Sequence, residues 1–323
     1  DLKQPRCERG GIGVIRLKWL LILFGVLVAL LIGAVFVTYP QPFLEARDAV
    51  GMKYVSEIYP VEGNANAQVE YYSLTAPSSD QPMIVMFASA GREVSDFNEL
   101  ATALNEAGYP ITLIEAPHIG ASIPSKDDAG LFDLAKDVHG IYAHHGRVVF
   151  LGHAFGNRVA RASGTLYNEN TAGIILIGAG GKRPIADKAA TALRDCFDPR
   201  LPLARRKDAI RYGFFADGNS IPDYWLRGWH RETAQLQGGT RRNSPPDTWW
   251  SGGTAPMLVV AGLQDTIAPP EDTIDLLEQE FPNRVTGIRL DGAGHALLPE
   301  KPDEIASAVL TWLQQLPTED LTL

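Results

Sequence analysis

The chain has 323 residues, enough for one large domain or two modest ones around a sizeable core. Its 45% hydrophobic and 21% charged residues are those of a folded protein, and a net charge of −9 without a long basic stripe argues against nucleic acid as a partner. The two cysteines, Cys7 and Cys196, lie on opposite sides of an apolar segment, which argues against a structural disulfide. No Cys/His cluster has metal-ligand spacing, so neither a metal nor another cofactor is expected.

That apolar segment comes first in the chain. Trp19 to Val37 carries no charge, and as a helix it would span roughly 28 Å, close to the thickness of a bilayer core. Residues 1–18 hold Lys3, Arg6, Arg9, Arg16 and Lys18 against Asp1 and Glu8, whereas Glu45, Arg47 and Asp48 follow the segment. The expectation is a cytoplasmic basic tail (1–18), a single-pass anchor (19–38), a linker (39–50) and a main domain facing away from the cytoplasm. A cleaved signal peptide is the rival reading. The run is too long for one, and Phe36-Val37-Thr38-Tyr39-Pro40 is a poor cleavage site.

From residue 51 short apolar runs alternate with helical patterns, the signal for a parallel α/β sheet. Strands are expected over Met52–Tyr59, Gln68–Leu74, Met83–Phe87, Ile111–Ile114, from Val148, over Gly173–Gly178, Pro256–Val260 and Arg284–Leu290. Ala76–Asp80 reads as a turn. Helices are expected over 96–108, over Asp127–His144 with Leu131, Leu134, Val138 and Ile141 on one face, after Gly156, and near 271–280 and 303–315. Between 182 and 250 the alternation stops. Four of the six tryptophans fall there, so the stretch reads as an insertion over the carboxyl edge of the sheet. The core is then 51–181 plus 251–318.

Gly152-His153-Ala154-Phe155-Gly156 follows the apolar run Val148-Val149-Phe150-Leu151 and opens a helix. This is the strand–turn–helix setting of a nucleophile elbow, with alanine where the nucleophile belongs. Downstream, Asp265 ends a strand, and thirty residues later His295 follows another strand in Gly292-Ala293-Gly294-His295. An Asp holding one imidazole nitrogen, with the other nitrogen facing the elbow, is the arrangement a general base requires.

On these residues the chain from about 50 to 318 resembles the α/β-hydrolases with a cap domain, the cap being 182–250. The resemblance implies a mostly parallel sheet flanked by helices. It also implies an oxyanion hole from the N–H groups of Phe155 and, in the loop Ala88-Ser89-Ala90-Gly91, of Ala90. The family's usual His-Gly at the start of that loop is replaced by Ala88-Ser89, and Pro117-His118-Ile119-Gly120-Ala121-Ser122 departs from the Arg-Gly-x-Gly-x-Ser pattern. Gly91-Arg92 with Asp96-Phe97, the Gly-His-Ala-Phe-Gly elbow and Gly294-His295-Ala296-Leu297-Leu298-Pro299-Glu300 are similar to an uncharacterised bacterial hydrolase-like subgroup. This favours a native alanine over an engineered one.

Ser89, His153, Trp225 and Trp229 are the expected substrate contacts. Tyr224, His230, Trp249 and Trp250 would either join them or form the cap's own core. Ser89, Ser122, Ser163 and Cys196 are weak substitute nucleophiles, and Lys182 and Arg92 are potential anion contacts. Without a hydroxyl at 154, serine-hydrolase activity is expected to be absent or strongly altered. Three outcomes remain. His295 and Asp265 act on a small, partly apolar, ester-like substrate without a covalent intermediate; the site only binds a ligand; or the protein is a silent subunit docked on a membrane complex. The first predicts an open, polar pocket at Ala154, the second an apolar one, and the third a pocket filled by side chains.

Overall fold

The computed structural model describes residues 19–31, 55–76 and 80–317. The basic tail, the linker, Cys7, residues 32–38 of the expected anchor and the centre of the turn before Asp80 lie outside the described residues. Residues 19–31 are helical, with side chains such as Trp19, Leu23, Phe24 and Leu30 exposed. At 1.5 Å per residue the described stretch spans about 20 Å. Among the described residues no helix is long and apolar enough to cross a membrane.

Eight strands form one sheet: β1 (Val55–Pro60), β2 (Gln68–Leu74), β3 (Met83–Phe87), β4 (Ile111–Ile114), β5 (Val148–His153), β6 (Thr171–Ile177), β7 (Met257–Gly262) and β8 (Val285–Leu290), in the order β1-β2-β4-β3-β5-β6-β7-β8. β1 and β2 run antiparallel at one edge, and the pairs from β4 through β8 are parallel. Every residue of β3, β5 and β7 is buried. That follows from their continuous Val/Ile/Leu/Met runs, because a parallel strand covered on both faces has no solvent side to give to polar residues.

Side-chain alternation divides the core in two. Val85 and Phe87 face a layer holding α2 (Leu131–Asp137), α3 (Gly156–Leu166) and α7 (Ile274–Glu280). Ile84 and Met86 face α1 (Asn98–Glu106) and α9 (Pro302–Leu313). The chain steps from β3 outward to β4, then crosses back to β5 on the other side of β3. The carboxyl ends of β3 and β5 therefore flank the point where strand order reverses, the crevice where open α/β sheets bind ligands.

The expected long helix over 127–144 is two short pieces, α2 and a single turn over His139–Tyr142. Tyr59 packs against the second piece. Its hydroxyl packs so close to Gly140 that a Cβ there would lie 1.9 Å from it. Gly130 starts α2, with the Asp133 carboxylate accepting the Gly130 N–H.

Between β6 and β7 the chain leaves the sheet for α4 (Asp187–Cys196), α5 (Leu203–Phe214) and α6 (Arg231–Asn243). This helical insert has its own apolar centre, in which Trp225 packs against Phe214, Phe215 and Trp229. α8 (Leu297–Glu300) leads into α9.

Candidate active site

Ala154 has φ +48°, and with His118 it is one of two non-glycine residues with positive φ among the described residues. Strain of this kind, about 1–3 kcal/mol, persists only where the surroundings enforce it. They do so here through two glycines. A Cβ on Gly152 would lie 2.3 Å from Asn157 N, and one on Gly156 would lie 2.0 Å from Phe87 O and 2.7 Å from Ala88 O. The elbow is thus pressed onto its own helix and against the end of β3. Ala154 N donates to Ile177 O at 2.9 Å. Asn157 Nδ2 donates to Ala154 O, and Arg161 donates to both Asn157 Oδ1 and Gly180 O.

His295 is placed by the loop after β8. Gly294 lets this loop approach the insert, since a Cβ there would meet Phe214 O at 2.6 Å. Asp265, buried after β7, works with both oxygens. Oδ1 accepts from the N–H groups of Ile267 and Ala268, each at 2.8 Å, and Oδ2 faces His295 Nδ1 at 2.8 Å. The carboxylate shapes its own turn and holds the imidazole, which leaves His295 Nε2 for the cavity.

That cavity is about 380 Å³, and Ser89, Ala90, Ala154, Phe155, Phe214 and His295 are among its lining residues. No backbone acceptor engages the N–H of Phe155 or Ala90 among the described residues. Both residues line the cavity at the junction of β3 and β5. The site unites an aligned His–Asp pair, two N–H groups without a backbone acceptor and a void, with the Ala154 methyl group at its wall.

Several sequence-predicted residues stand elsewhere. His153 is fully buried and does not line the cavity; its Nε2 donates to the His295 carbonyl at 2.9 Å. Burial, and then the neighbouring His295, push its pKa down to about 4. Trp225 and Trp229 are core of the insert rather than cavity wall. Trp249 and Trp250 pack into the main core, flanking the Arg161 guanidinium at 4.8 and 4.2 Å from their ring centres.

The other nucleophile and anion candidates are also engaged. Ser122 Oγ donates to Glu115 O, and Ser163 is buried inside α3. Burial pushes the Cys196 thiol up to about 12, so it is inert. Arg92 is buried in a two-pronged pair with Asp96 at 2.7 and 2.8 Å, stacked 4.3 Å from Trp225. Lys182 pairs with Glu280.

The sequence reading missed the braces around the site. Glu300 accepts from Ala216 N, Asn219 Nδ2 and Gly294 N, each at 2.7 Å, tying the His295 loop to the insert. Gln237 Oε1 accepts from Gly91 N at 2.8 Å, tying α6 to the loop after β3. Glu300 stood inside the quoted Gly-His motif, which was the available signal. Nothing local marked Gln237, 146 residues from its partner.

Comparison with known proteins follows this geometry. The alpha/beta hydrolase family matches residues 84–308, while comparison with curated proteins finds no match. Among solved structures, a membrane phospholipase A described as a bacterial virulence factor is 18% identical, covering 94% of this chain and 98% of its own, with a TM-score of 0.66. A carboxylesterase from Bacillus subtilis is 12% identical over 83% of this chain and 96% of its own, TM-score 0.66. An esterase from Exiguobacterium antarcticum is 15% identical over 81% and 100%, TM-score 0.65. At these identities the likeness is one of fold. With the family match spanning most of the chain, and the sheet order, elbow, Asp265 and His295 arranged as described, the protein belongs to the alpha/beta hydrolase family.

Proposed function

We propose that this protein has abandoned the acyl-enzyme route and uses His295, oriented by Asp265, as a general base on a small, partly apolar ester-like substrate held without a covalent bond. The observation that carries the reading is the Nδ1–Oδ2 contact of 2.8 Å on a histidine that lines an open cavity beside Ala154. A cavity filled by side chains would have favoured a purely structural role. In the proposed step His295 Nε2 takes a proton from water, and the hydroxide oxygen bonds to the substrate carbonyl carbon. The oxyanion rests on Phe155 N–H and Ala90 N–H. The carbonyl re-forms as the C–O bond to the leaving group breaks, and His295 returns the proton to the departing alkoxide. Acid and alcohol are the products.

The loops around Gly91-Arg92, the elbow and Gly294–Glu300 support a subgroup in which alanine at 154 is native. The apolar run 19–38 and the charge balance around it support a membrane anchor with the domain outside the cytoplasm, and the similarity in fold to a membrane phospholipase A accords with that reading. The methyl group of Ala154 also favours a second reading, a ligand-binding subunit of a membrane complex without turnover.

The test uses the full chain in a mild nonionic detergent, with short acyl esters and a serine-reactive fluorophosphonate. The unmodified protein is expected to stay unlabelled and to hydrolyse esters slowly, and His295→Gln is expected to abolish that rate. Ala154→Ser, sterically close to the native residue, is expected to label. Asp265→Asn in the Ala154→Ser background should lose about three to four orders of magnitude through the wrong imidazole tautomer. Labelling of the unmodified protein refutes the loss of covalent chemistry. A slow rate unchanged in His295→Gln refutes the general base and leaves the binding reading.

A further inference from the structure

The cavity beside Ala154 carries more positive charge than a neutral ester needs. Arg158, Arg183, Arg194 and Arg241 all line it, against the single carboxylate of Asp272. That carboxylate is already taken by Arg183 at 2.7 Å, and Arg194 donates to Thr191 Oγ1 at 2.9 Å. Among the described residues, neither Arg158 nor Arg241 has an ion-pair partner. Arg158 rises from the first turn of α3, four residues beyond Ala154, with its guanidinium 5.7 Å from the Phe155 ring centre. Its Nε is shielded from solvent and has no hydrogen-bond partner. Burial, and then the nearby charge of Arg241, bring the Arg158 pKa down to about 10.

Two like charges facing one void raise the energy of the empty site, and a buried donor left unpaired raises it further. An anion removes both penalties. The planar guanidinium fork is the group best matched to the paired oxygens of a carboxylate or phosphate.

We propose that the cavity binds a ligand whose recognised end is a compact oxyanion, a carboxylate or phosphate, held between Arg158 and Arg241. The inference concerns binding and stands whether or not His295 turns the ligand over.

The full chain in nonionic detergent is titrated calorimetrically with phenyl phosphate and benzoate, and with phenol as their uncharged counterpart. At least one of the two anions is expected to bind more tightly than phenol. Arg158→Gln and Arg241→Gln should each weaken it by about tenfold or more. Arg242→Gln, next in sequence but outside the cavity lining, should leave it unchanged. Melting curves verify that each variant is folded, and Arg241, exposed at the rim, carries the test if Arg158→Gln does not fold. Competition by phosphatidylglycerol micelles, with none by phosphatidylcholine micelles, identifies a lipid headgroup as the source. Competition by neither identifies a soluble anion. Phenol binding as tightly as both anions overturns the proposal, as does an Arg242→Gln loss equal to that of the cavity variants, or no loss in Arg241→Gln.

Discussion

His153 ties the stability of the fold to pH through the same loop that presents His295. In the folded protein its ring is fully enclosed, Nε2 donates to the His295 carbonyl, and Nδ1 has no partner. Protonating Nδ1 would place an unpaired cation beside the His295 ring, whose centre is 5.7 Å away. The folded pKa is accordingly depressed, to about 4 from 6.5, by burial first and His295 second. The unfolded chain therefore binds the extra proton between these values. Stability is retained above the unfolded pKa and falls as pH drops through the window toward about 4. For a single such group linkage gives a loss on the order of 1–3 kcal/mol, growing as pH falls from about 5.5 to about 4.5. His153→Gln keeps a donor for the His295 carbonyl and removes the titration. Urea denaturation of both proteins across this range should show the unmodified protein losing that much relative to the variant, with equal m-values. Parallel stability curves would refute the reasoning, because they would mean that His153 reaches solvent or a proton partner in the folded state.

Two further outcomes test the packing that builds the site. Gly156→Ala forces a methyl group to within 2.0 Å of Phe87 O, and should cost more than about 3 kcal/mol or prevent folding, because backbone cannot yield as a side chain can. Gly238→Ala, in α6 with nothing within 4 Å of the new methyl, should instead stabilise by about 0.5–1 kcal/mol; thermal unfolding of both checks the contrast. Arg92→Met leaves the Asp96 carboxylate buried without its cation, at a cost of about 3–5 kcal/mol. Arg92→Met with Asp96→Leu should recover most of this in a double-mutant cycle, and simple additivity would show that the pair is not coupled.

The sequence alone carried the sheet. The central parallel strands were legible because strands buried on both faces must be written as unbroken apolar runs, the outer strands β1, β2 and β8 were legible only as mixed apolar and polar stretches, and Gly152 and Gly156 marked a turn too tight for side chains. The order Ala154, Asp265, His295 located the site because each falls at the carboxyl end of a strand, which is a property of the chain's local pattern. Its limits were equally physical. The aromatic residues of the insert were legible as apolar but not by direction, and only packing decided that Trp225 fills the insert's centre and that Trp249 and Trp250 flank Arg161. His153 sits beside Ala154 in sequence, yet it is the last residue of β5 and is fully buried, whereas Ala154 sits in the turn at positive φ and lines the cavity. Arg158 and Arg241 are 83 positions apart in the chain and look like ordinary surface charges in sequence. Only the folding of α6 over the first turn of α3 brings them to one cavity, because the proximity of two charges in space is set by tertiary contact and leaves no mark on local sequence.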